Sequence, residues 1–376
     1  MDYSKKSMAL HKKHRGKIEI RSKVKLKNKT DLSLAYTPGV AAVSRAIGQN
    51  KKMSWQLTNR ANQVAIVTDG TAILGLGNLG PEAAMPVMEG KAVIFKEFAG
   101  IDAMPLCLAT TDTEEIIKFC QQIQPSFGGI NLEDIAAPRC FAILERLEKA
   151  LAIPVFHDDQ DGTAIVVLAA LTNACKVMAK DMKKLKITIN GAGAAGLAVA
   201  RLLLAAGAGN LILLDSQGII YRGRKNLHQA KREIALKTNQ KRIKGGLVQA
   251  VAGADVFIGV SQANLLKPEM VKSMAGQPII FALANPIPEI MPDLARKAGA
   301  AIVGTGRSDF PNQINNALVF PGIFRGLLDS RVRQVTTEIK IKAALALAGI
   351  IKPSKNKILP LVTDKKTVKI IAKAVK

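Results

Sequence analysis

Cysteine, tryptophan, tyrosine and histidine are all scarce in this 376-residue chain, at 4, 1, 3 and 4 copies. Cys107, Cys120, Cys140 and Cys175 include no Cys-x-x-Cys pair and no histidine at ligand spacing. That excludes a zinc-ribbon pattern, argues against a disulfide framework, and fits buried thiols in a reducing cytoplasm. Aromatic residues make up 4% of the chain, too few to supply stacking platforms for single-stranded nucleic acid. The longest apolar stretches, residues 165–171 and 197–208, fall short of a bilayer span or are interrupted, and residues 1–30 lack the apolar core of a secretory signal. A cytoplasmic protein without a membrane span is expected.

Acids are scarce too: 29 Asp and Glu against 54 Lys and Arg leave a formal net charge of +25. Residues 1–29 carry +9, 221–244 carry +8 and 351–376 carry +7, so the remaining body is close to neutral. Solvated Lys and Arg faces account for such segments. The competing reading is a surface for nucleic acid or anionic lipid, which predicts binding that weakens steeply with salt. With 48% hydrophobic residues the chain can bury a large core, which excludes intrinsic disorder, and its length fits two domains.

The middle of the chain alternates strand and helix. A β-branched run at 185–190 precedes Gly191-Ala192-Gly193-Ala194-Ala195-Gly196, a helical stretch at 197–206, a glycine break at 207–209 and an apolar strand at 211–215 ending in Asp215. Further strands are expected at 256–260, 279–283 and 301–303, so residues 158–316 read as a doubly wound parallel sheet of the Rossmann type. The N-terminal part also alternates, with strands expected at 64–68, 92–95 and 104–108, and the tail from 316 is mostly helical. The fold class is α/β.

The G-x-G-x-x-G pattern occurs twice. Gly75, Gly77 and Gly80 are followed by Pro81, and Pro86 is expected to break the next segment after about one turn. A crossover helix must run long enough to aim its N-terminal amides at a pyrophosphate. Gly191, Gly193 and Gly196 have that run, so the dinucleotide is assigned to the second loop, with Ala194 and Ala195 beside it. The first loop is expected as a tight turn on the substrate side. Asp215 is placed to accept both ribose hydroxyls of NAD, whereas Arg222 and Arg224 would serve NADP. NAD is the expected cofactor and NADP the alternative.

Against so few acids, the adjacent pairs Glu133-Asp134 and Asp158-Asp159 stand out. Both follow strand candidates, and acids at the carboxyl ends of strands converge on the cleft where open α/β sheets bind ligands. Oxygen ligands without cysteine or clustered histidine suit a hard cation, Mg2+ or Mn2+; helix caps and surface turns are the other use of adjacent acids.

Residues 34–41 around Tyr36, 67–71 (Val-Thr-Asp-Gly-Thr), 87–91 ending in Lys91, 128–134 (Gly-Gly-Ile-Asn-Leu-Glu-Asp), 157–163 (His-Asp-Asp-Gln-Asp-Gly-Thr), Asn285-Pro286 and 305–316 together resemble the bacterial malic enzymes of the short-subunit type. The resemblance runs in order from about residue 2 to the last twenty. It implies a substrate domain over 1–157, joined by C-terminal helices from about 317 to 376, and an NAD-binding domain over 158–316. It implies Tyr36 as general acid, Lys91 as general base, and Asp158 as the acid that orients and charge-balances the lysine. Glu133, Asp134 and Asp159 are implied as metal ligands, and Asn285 and Asn316 as amides holding the substrate carboxylates, with Asn315 beside them and Asn285 also on the cofactor side.

The implied activity is oxidative decarboxylation of (S)-malate to pyruvate and CO2 with reduction of NAD or NADP, dependent on Mg2+ or Mn2+, in a homodimer. Oxaloacetate decarboxylation, or oxidation of a related 2-hydroxy diacid, is the alternative within enzymes. This chemistry asks Lys91 to be neutral when it takes the hydroxyl proton, and burial and a nearby cation are expected to lower its pKa against the pull of Asp158. Two departures stand out. Asp161 occupies a position where many such relatives have histidine, and is expected to add negative charge beside the metal site. The tail after residue 351 is unusually rich in lysine for the family, which leaves its docking open.

Overall fold

The computed structural model describes residues 3–376. Its first sheet contains β1 (Gln63–Thr68), β2 (Asp102–Cys107), β3 (Gly129–Leu132) and β4 (Val155–His157), all parallel in the order β2-β1-β3-β4. The second contains β5 (Lys186–Asn190), β6 (Asn210–Asp215), β7 (Gly218–Ile219), β8 (Val256–Gly259), β9 (Ile279–Ala282) and β10 (Ile302–Thr305) in the order β10-β9-β8-β5-β6-β7, with β7 alone antiparallel. β3, β4, β8, β9 and β10 are buried along their whole length, as parallel strands covered by helices on both faces should be.

Residues 92–95, expected as a strand, are helical. They lie in helix Pro81–Ala99, whose buried side chains Ala84, Met88, Lys91, Ala92 and Phe95 recur at three- and four-residue spacing; this longer period overrides the short apolar run. Nor does Pro86 break the segment. It sits in the second turn, where only the hydrogen bond to Glu82 is forgone, and its own carbonyl accepts from Lys17 Nζ at 2.6 Å. The crossover helix therefore carries a lysine on its core-facing stripe.

A π-helical turn, Asp158–Gly162, leads from β4 into helix Thr163–Met178. Together they span 21 residues, long and apolar enough to cross a membrane by length and composition, yet 72% of an 18-residue apolar window within them is buried inside the protein. The helix packs on Ala194–Ala205 and Thr337–Ala348, and one apolar cluster runs from Val64 and Phe95 through it to Ile187 and Ile258. Both sheets thus share a core.

The chain after the second sheet returns to the first. Helix Phe320–Ser330 sets Phe320 and Phe324 against Phe95, with ring centres 4.8 and 5.2 Å apart, and Phe324 against Phe156 at 5.9 Å. The lysine-rich tail docks as well. In helix Lys366–Val375, Ile371 and Val375 press where Gly322 and Gly326 lack side chains, while its lysines face outwards. Phe324→Ala is expected to cost about 3–5 kcal/mol, read as a lower urea midpoint, because the rings of Phe95 and Phe156 both pack on this side chain. A midpoint unchanged from wild type would refute that role.

Candidate active site

β3 and β4 pair in parallel with Leu132 opposite His157, so the residues that follow each strand emerge side by side. Glu133 therefore meets Asp158, and Asp134 meets Asp159. The Asp134 N–H donates to Asp159 Oδ2 at 2.9 Å. Asp134 takes a left-handed backbone, φ 51°, and its carbonyl accepts from Ala72 N–H at 3.0 Å, which ties it to the loop after β1. In the π-turn, Gly162 leaves the space that Asp158 Oδ1 enters; a Cβ there would lie 1.8 Å from that oxygen and 3.2 Å from Asn316 Cβ. Asn316 is thereby brought beside Asp158.

Lys91 reaches this cluster from the crossover helix. Its Nζ contacts Asp158 and lies 2.9 Å from Glu133 Oε2, with the Phe320 ring 4.0 Å below it. Lys91 is 7% exposed, Glu133 5% and Asp158 0%, so these charges balance one another rather than being screened by water. Burial works to lower the Lys91 pKa, but Asp158 and Glu133 together outweigh it and hold the ammonium above its usual range. Without a cation, burial does not give the lowered value expected: two carboxylates at contact distance exceed the desolvation effect.

One ligand oxygen from each of Glu133, Asp134 and Asp159 can be chosen so that all lie within 4.8 Å of one another. Burial pushes Asp134 up to about 9, with Asp159 and Glu133 adding to it, and pushes Asp159 up to about 6 and Glu133 to about 7. Asp134 Oδ2 is buried with no hydrogen-bond partner. Three crowded carboxylates, one with an orphaned oxygen, form a donor set that fits a hard divalent cation, whose charge relieves their repulsion.

At the second sheet, β5 runs directly into the glycine turn, and helix Ala194–Ala205 begins with Ala194 and Ala195. Gly191 has φ 112°; a Cβ on Gly196 would lie 1.7 Å from the Gly191 carbonyl oxygen, while one on Gly193 would meet nothing within 4 Å. The third glycine serves packing and the second faces open space, where a phosphate has room to approach. In the first glycine pattern, 12 residues separate β1 from its helix, so those glycines do not form a tight strand-to-helix turn. Helix length, on which the two loops were distinguished, does not separate them; loop length does. Gly75 instead abuts Asn285, whose carbonyl oxygen would lie 2.6 Å from a Cβ there, and the Asn285 amide rests on Gly306. Asn315 caps the turn Asn316–Leu318 through the Ala317 N–H at 2.9 Å.

Asp215 ends β6 as expected, but its carboxylate is not free. Arg224 Nη2 donates to it at 2.5 Å and Lys231 Nζ at 2.7 Å, and these bonds hold its pKa below the usual range despite burial. Arg222 is exposed. Asp161 likewise has a partner: Lys340 Nζ at 2.6 Å compensates the charge that the sequence places near the acid cluster. Tyr36 is not joined to the cluster. It is 69% exposed, and no hydrogen bond of its hydroxyl to a site residue occurs among the described residues.

This geometry can be set beside known proteins. The family model for the malic enzyme N-terminal domain matches residues 15–148, and that for the malic enzyme NAD binding domain matches residues 160–376. The chain belongs to the malic enzyme family. A bifunctional malic/malolactic enzyme of Bacillus subtilis is 53% identical over 379 residues, covering 100% of this chain and 92% of that protein. An NAD-dependent malic enzyme of Geobacillus stearothermophilus is 53% identical over 363 residues, covering 96% of this chain and 76% of that protein. The crystal structure of an NAD-dependent malic enzyme from Thermotoga maritima matches with a TM-score of 0.95 at 48% identity, over 98% of both chains. Malic enzymes named for NADP match as well.

Several side chains packed into this candidate site were not among those expected from the sequence. Asn131 donates to Glu133 Oε2 at 2.9 Å, and Phe320 packs under Lys91. Arg139 pairs with the buried Asp69 at 2.8 Å and donates to Thr71 Oγ1 at 3.1 Å, bracing the loop that meets Asp134. Asn131 and Asp69 lay inside stretches already singled out. Arg139 and Phe320 carry no local signal, because their partners are distant in sequence.

Proposed function

We propose that this chain oxidatively decarboxylates malate to pyruvate and CO2 while reducing NAD, with a divalent cation held by Glu133, Asp134 and Asp159. The observation that carries the reading is Lys91, buried between Asp158 and Glu133 at the edge of an acid cluster. Bound there, the cation supplies Lewis acidity toward the substrate oxygens. With the Glu133 charge taken up by a cation, the hold on the Lys91 proton would weaken, so that neutral Lys91 takes the C2 hydroxyl proton as C2 gives up hydride, and Asp158, in contact with its Nζ, shares that proton. Asn285 and Asn316 hold the carboxylates and keep the substrate in one orientation. As the C3–C4 bond breaks and CO2 leaves, Tyr36 returns a proton to C3.

In this reading residues 1–157 and the helices from about 317 bind substrate, and 158–316 bind the dinucleotide. NAD is the proposed acceptor: Asp215 places a carboxylate at the end of β6, which must turn from Arg224 and Lys231 to meet a ribose, while exposed Arg222 is the residue through which NADP competes. A steady-state assay tests the reading: NADH should form from malate with Mg2+ or Mn2+, faster than NADPH, and stop on chelation. Pyruvate and lactate are measured separately, given the malic/malolactic name of one relative. Metal-replete protein that made neither NADH nor NADPH from malate would overturn it.

The proposal includes a homodimer in which Tyr36 completes the neighbour's site. Ile20, Leu34 and Tyr36 are 93%, 72% and 69% exposed, large apolar side chains of the N-terminal segment that a second copy would cover. Mixing Tyr36→Phe with Lys91→Met protein, each inactive alone, should restore up to about a quarter of wild-type activity, since hybrid dimers then hold one intact site. If each residue served its own subunit, no activity would return.

A further inference from the structure

Glu289 is the deepest carboxylate outside the acid cluster, fully buried, and no Lys or Arg pairs with it among the described residues. Burying an unpaired carboxylate is costly unless both oxygens are satisfied by hydrogen bonds. They are: Oε1 accepts from Ser261 N–H at 2.9 Å, and Oε2 from Ala284 N–H at 3.0 Å. These two donors belong to different strand ends, each lying two residues beyond its strand, Ser261 after β8 and Ala284 after β9. Space for the carboxylate comes from Gly259, where a Cβ would lie 2.3 Å from Glu289 Cδ.

Each strand end leads to a different ligand. On one side the Ser261 hydroxyl accepts from Asn190 Nδ2 at 2.9 Å, and Asn190 closes β5 immediately before Gly191. The Val260 carbonyl oxygen also sits against Gly191, 2.5 Å from where its Cβ would be. On the other side Ala284 precedes Asn285, held between Gly75 and Gly306. A single side chain therefore fixes the separation between the glycine turn and the amide at the substrate side.

We propose that Glu289 is a positioning residue that sets the dinucleotide turn and Asn285 in register, so that cofactor and substrate meet at hydride-transfer distance. The inference rests on the proposed malate reaction. Two fixed N–H donors require two acceptor oxygens. Glutamine offers one acceptor and turns its NH2 toward the other donor, and aspartate is one methylene too short to reach both.

The test uses the full chain with bound metal. Glu289→Gln should raise KM for both NAD and malate about three- to tenfold, the range for one misplaced hydrogen bond. Ser261→Ala keeps its N–H on Glu289 and loses the hydroxyl's link to Asn190 together with its longer 3.4 Å bond to Glu289 Oε1, while the Ala284 arm stays intact, so it should raise KM for NAD and leave that for malate unchanged. NADH binding, followed by fluorescence, checks the cofactor arm without malate turnover, so failure of the malate reading is distinguishable from failure of this one. A purely structural Glu289 would lower the melting temperature and leave both KM values at wild type in folded protein, which overturns the proposal. Should Glu289→Gln fail to fold, an unchanged NAD KM and NADH affinity in Ser261→Ala would overturn it alone.

Discussion

Lys91→Met should lower kcat on malate by about a hundred- to ten-thousandfold, the usual contribution of a positioned general base, while NADH binding stays near wild type. Methionine keeps the length of the side chain and its packing on Phe320, so the loss reports the amine. Lys91→Arg separates two roles. It keeps the positive charge between Asp158 and Glu133 but cannot give up its proton, so it should be as inactive as Lys91→Met while retaining more stability. An arginine variant with more than about a tenth of wild-type turnover would mean that the lysine serves only to balance charge, not to move protons.

What could be read from the sequence was what depends on local pattern. Strand, glycine turn and helix at 186–205 are contiguous, and the acids after β3 and β4 follow directly from their strands, so both were visible without a fold. The error at 92–95 arose where two periods competed over four residues, and the 19-residue helix decided it through burial on one face. The charge states were harder still. Lys91 looked like a base with a lowered pKa because burial alone would lower it; the carboxylates that reverse the sign come from 42 and 67 residues away in sequence and meet it only when β3, β4 and the crossover helix pack together. For the same reason Asp215 read as a free ribose acceptor and Asp161 as an added charge at the metal site. Lys231 and Lys340, which answer them, are brought there by helices. Composition showed that nearly all of the +25 sits in three segments, but not that two of those lysines and arginines, Arg224 and Lys231, are held by one carboxylate.

Without its divalent cation the protein should become less stable as pH rises from about 5 to about 9, and the cation should restore most at the alkaline end. The direction follows from the acid cluster. Asp159, Glu133 and Asp134 have folded pKa values raised to about 6, 7 and 9 from ordinary values of 3.8, 4.5 and 3.8, so the folded state holds their protons more tightly than the unfolded chain. Their contribution is complete below the unfolded values and is lost as pH passes upward through the folded ones. A cation takes the place of those protons, and its affinity grows as they leave. At a hundred times its Kd it adds about 2.7 kcal/mol, a shift of several degrees in melting temperature. Asp134→Asn removes one of the three anions, so its metal-free form should be more stable than wild type near pH 8 while its response to Mg2+ or Mn2+ and its turnover are lost. Melting curves at about pH 5.5 and pH 8.5, with cation and with chelator, decide the matter: an equal metal shift at both, or one that survives in Asp134→Asn, would place the cation elsewhere.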